Sequence, residues 1–389
     1  MNLKSAMAVG AAFGILGLGS AFATFARVES MGKNTTYIMD DVSIFDNPAN
    51  VNLYPNYLIG EFGLYNENVQ VGENMDPQHP NFGGIFSLGL GKGEYPDPRL
   101  TIGGLFGRMD SELGRFLPTN VILPNGNTSE VPETVTNFDG FLGGTLANGN
   151  ALGLHIFLAH QDGGRQVSDG SYQPDYSAYA SVVRADGGIN WQLGSNADLE
   201  LAFGLARIQY GNEHKNFFDD GDFSYLGKAR AFFSLEALDG ELVPALSAHF
   251  IQAPGIEDIR AQVGVGINVA LDRGFFWLGV DFIWNKMEAG NWSFNHETGE
   301  TTYDASAERD YRDEKEEIGG QISFGIERNI WWDWFVIRVG GKKSILYTDC
   351  DRHWANAGKT DGLCPTDGNY FSTNPLGNGT ADDHVGFGF

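Results

Sequence analysis

"IRAQVGVGINVALDRGFFWLGVDFIWNK", residues 259–286, alternates in polarity with a period of two. In 259–272, Ile259, Ala261, Val263, Val265, Ile267, Val269 and Leu271 share one face, while Arg260, Gln262, Gly264, Gly266, Asn268 and Asp272 share the other. Beyond the Asp272-Arg273-Gly274 turn, Phe276, Leu278, Val280, Phe282 and Trp284 oppose Trp277, Asp281 and Asn285. Successive side chains of a strand point to opposite faces, so the stretch reads as a hairpin with one apolar and one polar face.

Working outward, the same pattern recurs near 56–66, 82–91, 100–108, 136–147, 150–160, 177–193, 197–210, 223–236, 242–251, 314–327, 332–348 and 382–389, fourteen segments in all. In 314–327, Ile318, Gly320, Ile322, Phe324 and Ile326 oppose Glu317, Gln321, Ser323 and Glu327. Most segments run to ten residues or more, long for a globular strand and right for one that crosses a bilayer at a tilt. A soluble sandwich would also alternate, but its connections would not sort by length. Here long connections (67–81, 109–135, 161–176, 211–222, 287–313, 349–381) alternate with short ones (92–99, 148–149, 194–196, 237–241, 272–274, 328–331), and 252–258 alone is modest for its class. Tight turns at one end and free loops at the other are the plan of an outer-membrane barrel.

The expected fold class is therefore all-β, a transmembrane antiparallel β-barrel of about 14 strands with extracellular long loops. An even count closes such a sheet with no edge left in lipid. The final "DDHVGFGF" leaves only about eight residues for the last strand. Either the chain is truncated, or that strand begins within 372–381.

Composition fits this class. The chain has 389 residues with 53 Gly, 28 Phe and 14 Tyr, and 25 basic against 50 acidic side chains give a net charge of −25. That acidity excludes nucleic acid as a partner, because phosphate binding needs a basic face. At the N-terminus, Lys4 precedes a small-residue apolar stretch ending in Ala21-Phe22-Ala23, which reads as a signal peptide over 1–23, with cleavage after Ala26 as the alternative. No other stretch approaches 18 consecutive apolar residues. The domains expected are thus the signal, an N-terminal segment at 24–55 and a barrel at 56–389 in the outer membrane, in contact with its lipid and lipopolysaccharide.

With the apolar faces toward lipid, the lumen receives Arg184, Asp186, Asn190, Asp198, Glu200, Lys228, Arg230, Arg260, Gln262, Asp281, Glu317, Gln321, Arg338 and Lys342. Both signs of charge make this a polar interior that carries water or pairs with a plug. Trp331, Trp332 and Trp334, at a short turn, suit an aromatic girdle or ordinary packing beside that turn.

Nothing in the chain reads as an enzyme. There is no G-x-S-x-G, H-E-x-x-H or P-loop, and His155 and His160 fall on opposite faces of one strand, with His249 on another. No cofactor is expected. Asp219, Asp220 and Asp222, and Asp349 and Asp351, offer oxygen ligands to Ca²⁺ but lack the spacing of a built loop. Cys350 and Cys364, both in the last long connection of an exported chain, read as a disulfide closing 13 residues. On the chain-entropy model such a closure contributes roughly 3 kcal/mol.

The segment "DDVSIFDNPANVNLYPNYLIGEFGLY" (40–65) places Asn47-Pro48-Ala49, after Ile44 and Phe45, just before the first strand. In this it resembles the long-chain fatty-acid transporter superfamily, which includes the fourteen-stranded barrels associated with type IX secretion. The resemblance implies a hatch folded into the barrel, formed here by Asp40, Asp41, Ile44, Phe45, Asn47 and Pro48. The closing "DDHVGFGF" is similar to a stretch those families carry near their last strands. Independently, Tyr37, Ile38, Met39, Val42, Ile44 and Phe45 are too apolar for a free tail. The function expected is passive uptake of small solutes, hydrophobic ones included, past that hatch. The alternative is a non-transporting surface barrel (adhesin, structural protein or secretion-shuttle partner) acting through 109–135, 287–313 and 349–381.

Overall fold

The computed structural model describes residues 27–61, 81–90, 98–122, 128–131, 137–167, 178–212, 215–216, 223–294, 301–304, 312–330, 335–353, 363, 370–372 and 384–388, apart from positions 29, 33, 109, 115, 147 and 165. The signal segment 1–23, Asp219, Asp220, Asp222, Trp331, Trp332, Trp334 and Cys364 lie outside the described residues.

Strands β1 (Tyr57–Glu61), β2 (Asn81–Gly89) and β3 (Arg99–Phe106) lead to the short β4 (Asn120–Ile122) and β5 (Thr128–Glu130). Then come β6 (Asn137–Thr145), β7 (Ala151–Gly164), β8 (Gln166–Val167), β9 (Ala178–Gln192), β10 (Ala197–Asn212) and β11 (Lys215–Asn216). Next are β12 (Ser224–Leu235), β13 (Gly240–Ala253), β14 (Ile256–Leu271), β15 (Gly274–Gly290), β16 (Trp292–Phe294) and β17 (Thr301–Asp304). The chain finishes with β18 (Arg312–Asn329), β19 (Val336–His353), β20 (Tyr370–Ser372) and β21 (His384–Gly388).

Sixteen of these form one sheet in the order β1-β2-β3-β6-β7-β9-β10-β12-β13-β14-β15-β18-β19-β20, with β11 on β10 and β21 on β19. Every pairing in it is antiparallel, and each of the fourteen alternating segments contributes a strand. The β19 edge is taken in two pieces: β20 lies opposite Leu346–Thr348, and β21 opposite Arg338–Lys342.

Three features differ from the sequence reading. The long connections 109–135, 161–176 and 287–313 carry a second, five-stranded sheet, β16-β17-β4-β5-β8, in which β17 and β4 run parallel. The modest connection 252–258 shrinks to Pro254-Gly255 between β13 and β14, where Gly255 takes φ +72, open to glycine at little cost. Finally, Cys350, Asp349 and Asp351 belong to β19 rather than to a loop. Asp349 and Asp351 point outward, exposed, whereas Cys350 is buried and disulfide-bonded.

The strands outrun their expected ends because polarity reverses along them. In the first part of β15, Leu278, Val280 and Phe282 are exposed, while Asp281 and Asn285 are buried. Further along the same strand Met287 and Ala289 are buried, and Lys286 and Glu288 face outward. The period of two never breaks; its sense inverts. Strand β10 does the same, from exposed Leu201, Phe203 and Leu205 to buried Ala206, Ile208 and Tyr210.

These reversals align across the sheet. Ala261, Trp284, Ile318 and Tyr347 stand in one row of paired residues, and the next row outward is Ile259, Lys286, Glu316 and Asp349. A third row, Glu257, Glu288, Glu314 and Asp351, is wholly acidic. Trp284 donates its indole N–H to Glu316 across this line at 2.7 Å, an apolar ring with a wet edge. The outward face therefore carries an apolar band that ends at a common height.

Candidate functional site

The face opposite this band is covered by the N-terminal residues 27–56 and by part of the β3–β6 connection. Asn47 shapes the first of these. Its extended backbone (φ −140, ψ 108) caps a 3₁₀ turn, Pro48–Leu53, and its side chain accepts the Ala49 N–H at 3.1 Å. Pro48 occupies the first helical position, where its missing N–H costs nothing. The Asn47 amide donates to Asn190 Oδ1 at 2.6 Å, and the Asn190 amide donates in turn to Asn50 Oδ1 at 2.6 Å. Asn52 closes the turn onto the Leu152 carbonyl at 3.0 Å.

Glycines form the seat. A Cβ at Gly153 would overlap the backbone of Pro48 and Ala49, and one at Gly188 the Asn47 side chain. Gly264, Gly266 and Gly279 likewise leave the space filled by the Tyr37 ring. The Tyr37 hydroxyl donates to Asp281, and its ring lies 6.3 Å from that of Trp277. Ile44 and Val51 are buried against Ile59, Ile85, Leu105 and Phe141. Arg230 binds Glu200 at 2.5 Å and donates to the Thr35 carbonyl at 2.9 Å. At the start of the segment, Arg27 pairs with Asp40 at 2.6 Å and with Glu327 at 2.8 Å, and Glu327 pairs with Arg338 at 2.6 Å.

A charged belt crosses the buried face beside this segment. Arg108, just after β3, holds Asp139 with Nη2 at 2.6 Å and Nε at 3.0 Å. His155 lies between two carboxylates, with Nε2 2.8 Å from Asp139 and Nδ1 2.8 Å from Asp186. Arg184 binds Asp186 at 2.8 Å and Asp110 at 3.2 Å. Asp110 also accepts the N–H groups of Glu112 and Leu113, both at 3.1 Å, opening the one-turn helix Ser111–Gly114. His249 joins Asp258 at 2.6 Å to Glu112 at 3.6 Å. Burial alone would raise the Glu112 carboxyl, but Lys228, His249 and Arg184 hold it well below the usual carboxylate range.

Beyond the belt the buried face turns apolar, filled by Leu113, Phe116 and Val121 of the connection against Ile208, Tyr210, Ile251 and Met287. The interior expected to be polar thus carries an apolar cluster on one side of the belt. Inward positions past the reversal are apolar on β10 and β15 (Ile208, Tyr210, Met287 and Ala289), whereas β18 keeps Asp313 and Lys315 buried there.

Asp40, Asp41, Ile44, Asn47 and Pro48 are buried and Phe45 half-buried, all on this face. Arg184 and Asp186 enter the belt, while Lys228 and Arg230 meet the segment. Asp281 binds Tyr37, and Arg338 joins the Arg27–Glu327 pair. Arg260 pairs with Gln262 at 3.4 Å, and Glu317 binds Lys315 at 2.8 Å, each apart from the belt. Sequence alternation set His155 and His160 on opposite faces of one strand and did not single out Asp139. Arg108 closes the alternating segment 100–108, whereas Asp110 and Glu112 sit in a connection with no periodic signal. Among the described residues, no group of His, Cys, Asp and Glu is arranged to hold a metal ion.

Burial and a hydrogen bond shared with Asp41 push the Asp40 carboxyl up to about 7 despite Arg27. An undocked Asp40 would titrate near its ordinary 3.8. Between these values the seated segment holds more protons than the free one, so seating weakens as pH rises through this window. Raising pH from 4 to 7 should increase protease cleavage within 27–56 by up to about tenfold per pH unit. Asp40→Asn should flatten that profile, and an unchanged slope in the variant would remove Asp40 as its source.

No protein-family model matches the chain, and no curated protein matches it either.

Proposed function

We propose that the protein is a fourteen-stranded β-barrel of the outer membrane, and that residues 27–56 plug its interior and move aside to pass small solutes. The observation that carries this reading is the aligned reversal of polarity. A sheet in water gains nothing by exposing Ile318, Ile322, Phe324 and Ile326 in one strand and then switching to Glu316 and Glu314 at a shared height. A sheet in a bilayer must do so, because its outward residues leave hydrocarbon for headgroups and water there. Ile318 to Ile326 spans nine residues, the length of a tilted crossing. Closure would also satisfy the outer edges of β1 and β21, which lipid could not.

The glycine seat supports the plug. A segment passively lodged against a wall needs no glycines under its bulkiest groups, whereas a moulded seat specifies one bound position. The apolar cluster beyond the charged belt favours solutes with an apolar part. The likeness of Asn47-Pro48-Ala49 to the fatty-acid transporter superfamily points the same way. The five-stranded outer sheet favours a second reading, a surface barrel that acts through its loops.

Two measurements test the proposal. Unboiled protein in detergent should migrate faster on a gel than boiled protein, as membrane barrels do, and identical migration would sink the barrel. Proteoliposomes should conduct in rare events and swell slowly. Permeability no greater than that of empty liposomes, in the intact protein and after loss of the segment alike, would leave the surface-barrel reading standing instead.

A further inference from the structure

The plug and the outer surface are joined by one continuous set of contacts, which the reading above does not require. Thr119, at the edge of the outer sheet, exchanges hydrogen bonds with Thr301 at 2.9 and 2.7 Å, and β4 then pairs with β17. The same connection runs back through Phe116 and Leu113, buried in the apolar cluster, to the one-turn helix and Asp110. Arg108 then reaches the plug. Its guanidinium lies over the Phe45 ring at 4.1 Å while its Nε–Nη2 edge holds Asp139. Next to Phe45, Asp46 binds Lys228 at 2.5 Å. The same Lys228 charge is also felt by Glu112, so one cation serves both the plug and the connection. His155 completes the arrangement, stacked on Phe141 at 4.6 Å and meeting the edge of Phe45 at 6.1 Å.

We infer that the β3–β6 connection is the latch of the plug. Arg108 clamps Phe45 from the outer side, and Glu112 shares the Lys228 charge with Asp46, so a displacement of the outer sheet frees the plug. The inference rests on the gated-barrel reading and names what controls the gate. Its physical basis is differential contact. The seat residues of β7, β9, β14 and β15 are held in the sheet by neighbours on both sides, whereas Arg108 and Glu112 belong to a connection tied at its far end to the outer sheet. Only that second set can move without breaking the wall.

The experiment compares single-channel open probability in planar bilayers for the full chain and three variants. Arg108→Met breaks the latch, Gly153→Leu disturbs the seat, and the third variant combines both changes. Each is first checked for the gel shift of a folded barrel. The latch variant should open about tenfold more often, the equivalent of one interaction with a charged group. The combined variant should gain less than the product of the two effects, because both release the same segment. An opened seat variant with an unchanged latch variant would overturn the latch and leave the gate intact. No opening in any variant would overturn the gate itself, and the latch with it. Should Arg108→Met prevent folding, Arg108→Lys keeps the charge and loses the paired hydrogen bonds. It should open by a smaller factor, and no change in it would equally overturn the latch.

Discussion

Deleting residues 30–50 is expected to turn a protein that conducts rarely into one that conducts continuously. The deletion removes Tyr37, Asn47 and Pro48 from a face that has glycine where they sat, so no wall side chain fills that space, and it strips Ile44 and Phe45 from Ile59, Ile85, Leu105 and Phe141. Arg230 keeps Glu200 but loses the carbonyls of Thr35, Thr36 and Ile38, and Lys228 loses Asp46. Those cations would then be hydrated, which suits a water-filled path. A minor open state populated on the order of 1% would become the only state, so open probability should rise about 100-fold. The strands keep all their pairings, and the gel shift should survive. If the deleted protein folds yet admits no more ions than the intact one, passage through this interior is wrong.

The second large effect comes from a single methylene-rich side chain. Gly153→Leu puts a Cβ where Pro48 and Ala49 already stand. Strand β7 is paired on both sides, with β6 and with β9, so the wall has little freedom to yield. The segment is the softer partner and should leave. Overpacking of this kind costs about 1–3 kcal/mol, enough to shift a seated segment by roughly 10- to 100-fold toward the free state. Limited proteolysis inside 27–56 reads that shift directly. Gly227→Leu is the control, because the nearest atom to a Cβ there lies at 3.9 Å. Equal cleavage in the two variants would mean that Gly153 has no special role in holding the segment.

The alternation of 259–286 and its relatives made the strands legible, because a sheet buried on one face writes a strict two-residue code. On β10 and β15 the code then continues in the opposite sense. At Lys286 and Met287 the pattern looks finished although β15 runs on to Gly290. The N-terminal segment that covers the sheet was legible through Asn47-Pro48 and the apolar residues around it. Its seat was not, since Gly153, Gly188 and Gly266 look like ordinary barrel glycines until the ring or turn above each is placed. The belt was hidden for another reason. His155 lies 16 residues from Asp139 and 31 from Asp186, and Arg108 lies 31 residues before Asp139. Pairings of that kind are set by strand neighbours and leave no local mark.

Arg27 reaches Glu327 across 300 positions of sequence, and Asn34 reaches Ser323 across 289. Contacts so distant cannot form while the chain is still emerging, and closing so large a loop carries an entropic cost that only the finished wall offsets. The first described residues of the segment are thus the last to find their places. A chain halted before β18 would keep the contacts of residues 35–52 with β7, β9, β12 and β15 and leave only its first few residues loose, like a door hung but not bolted.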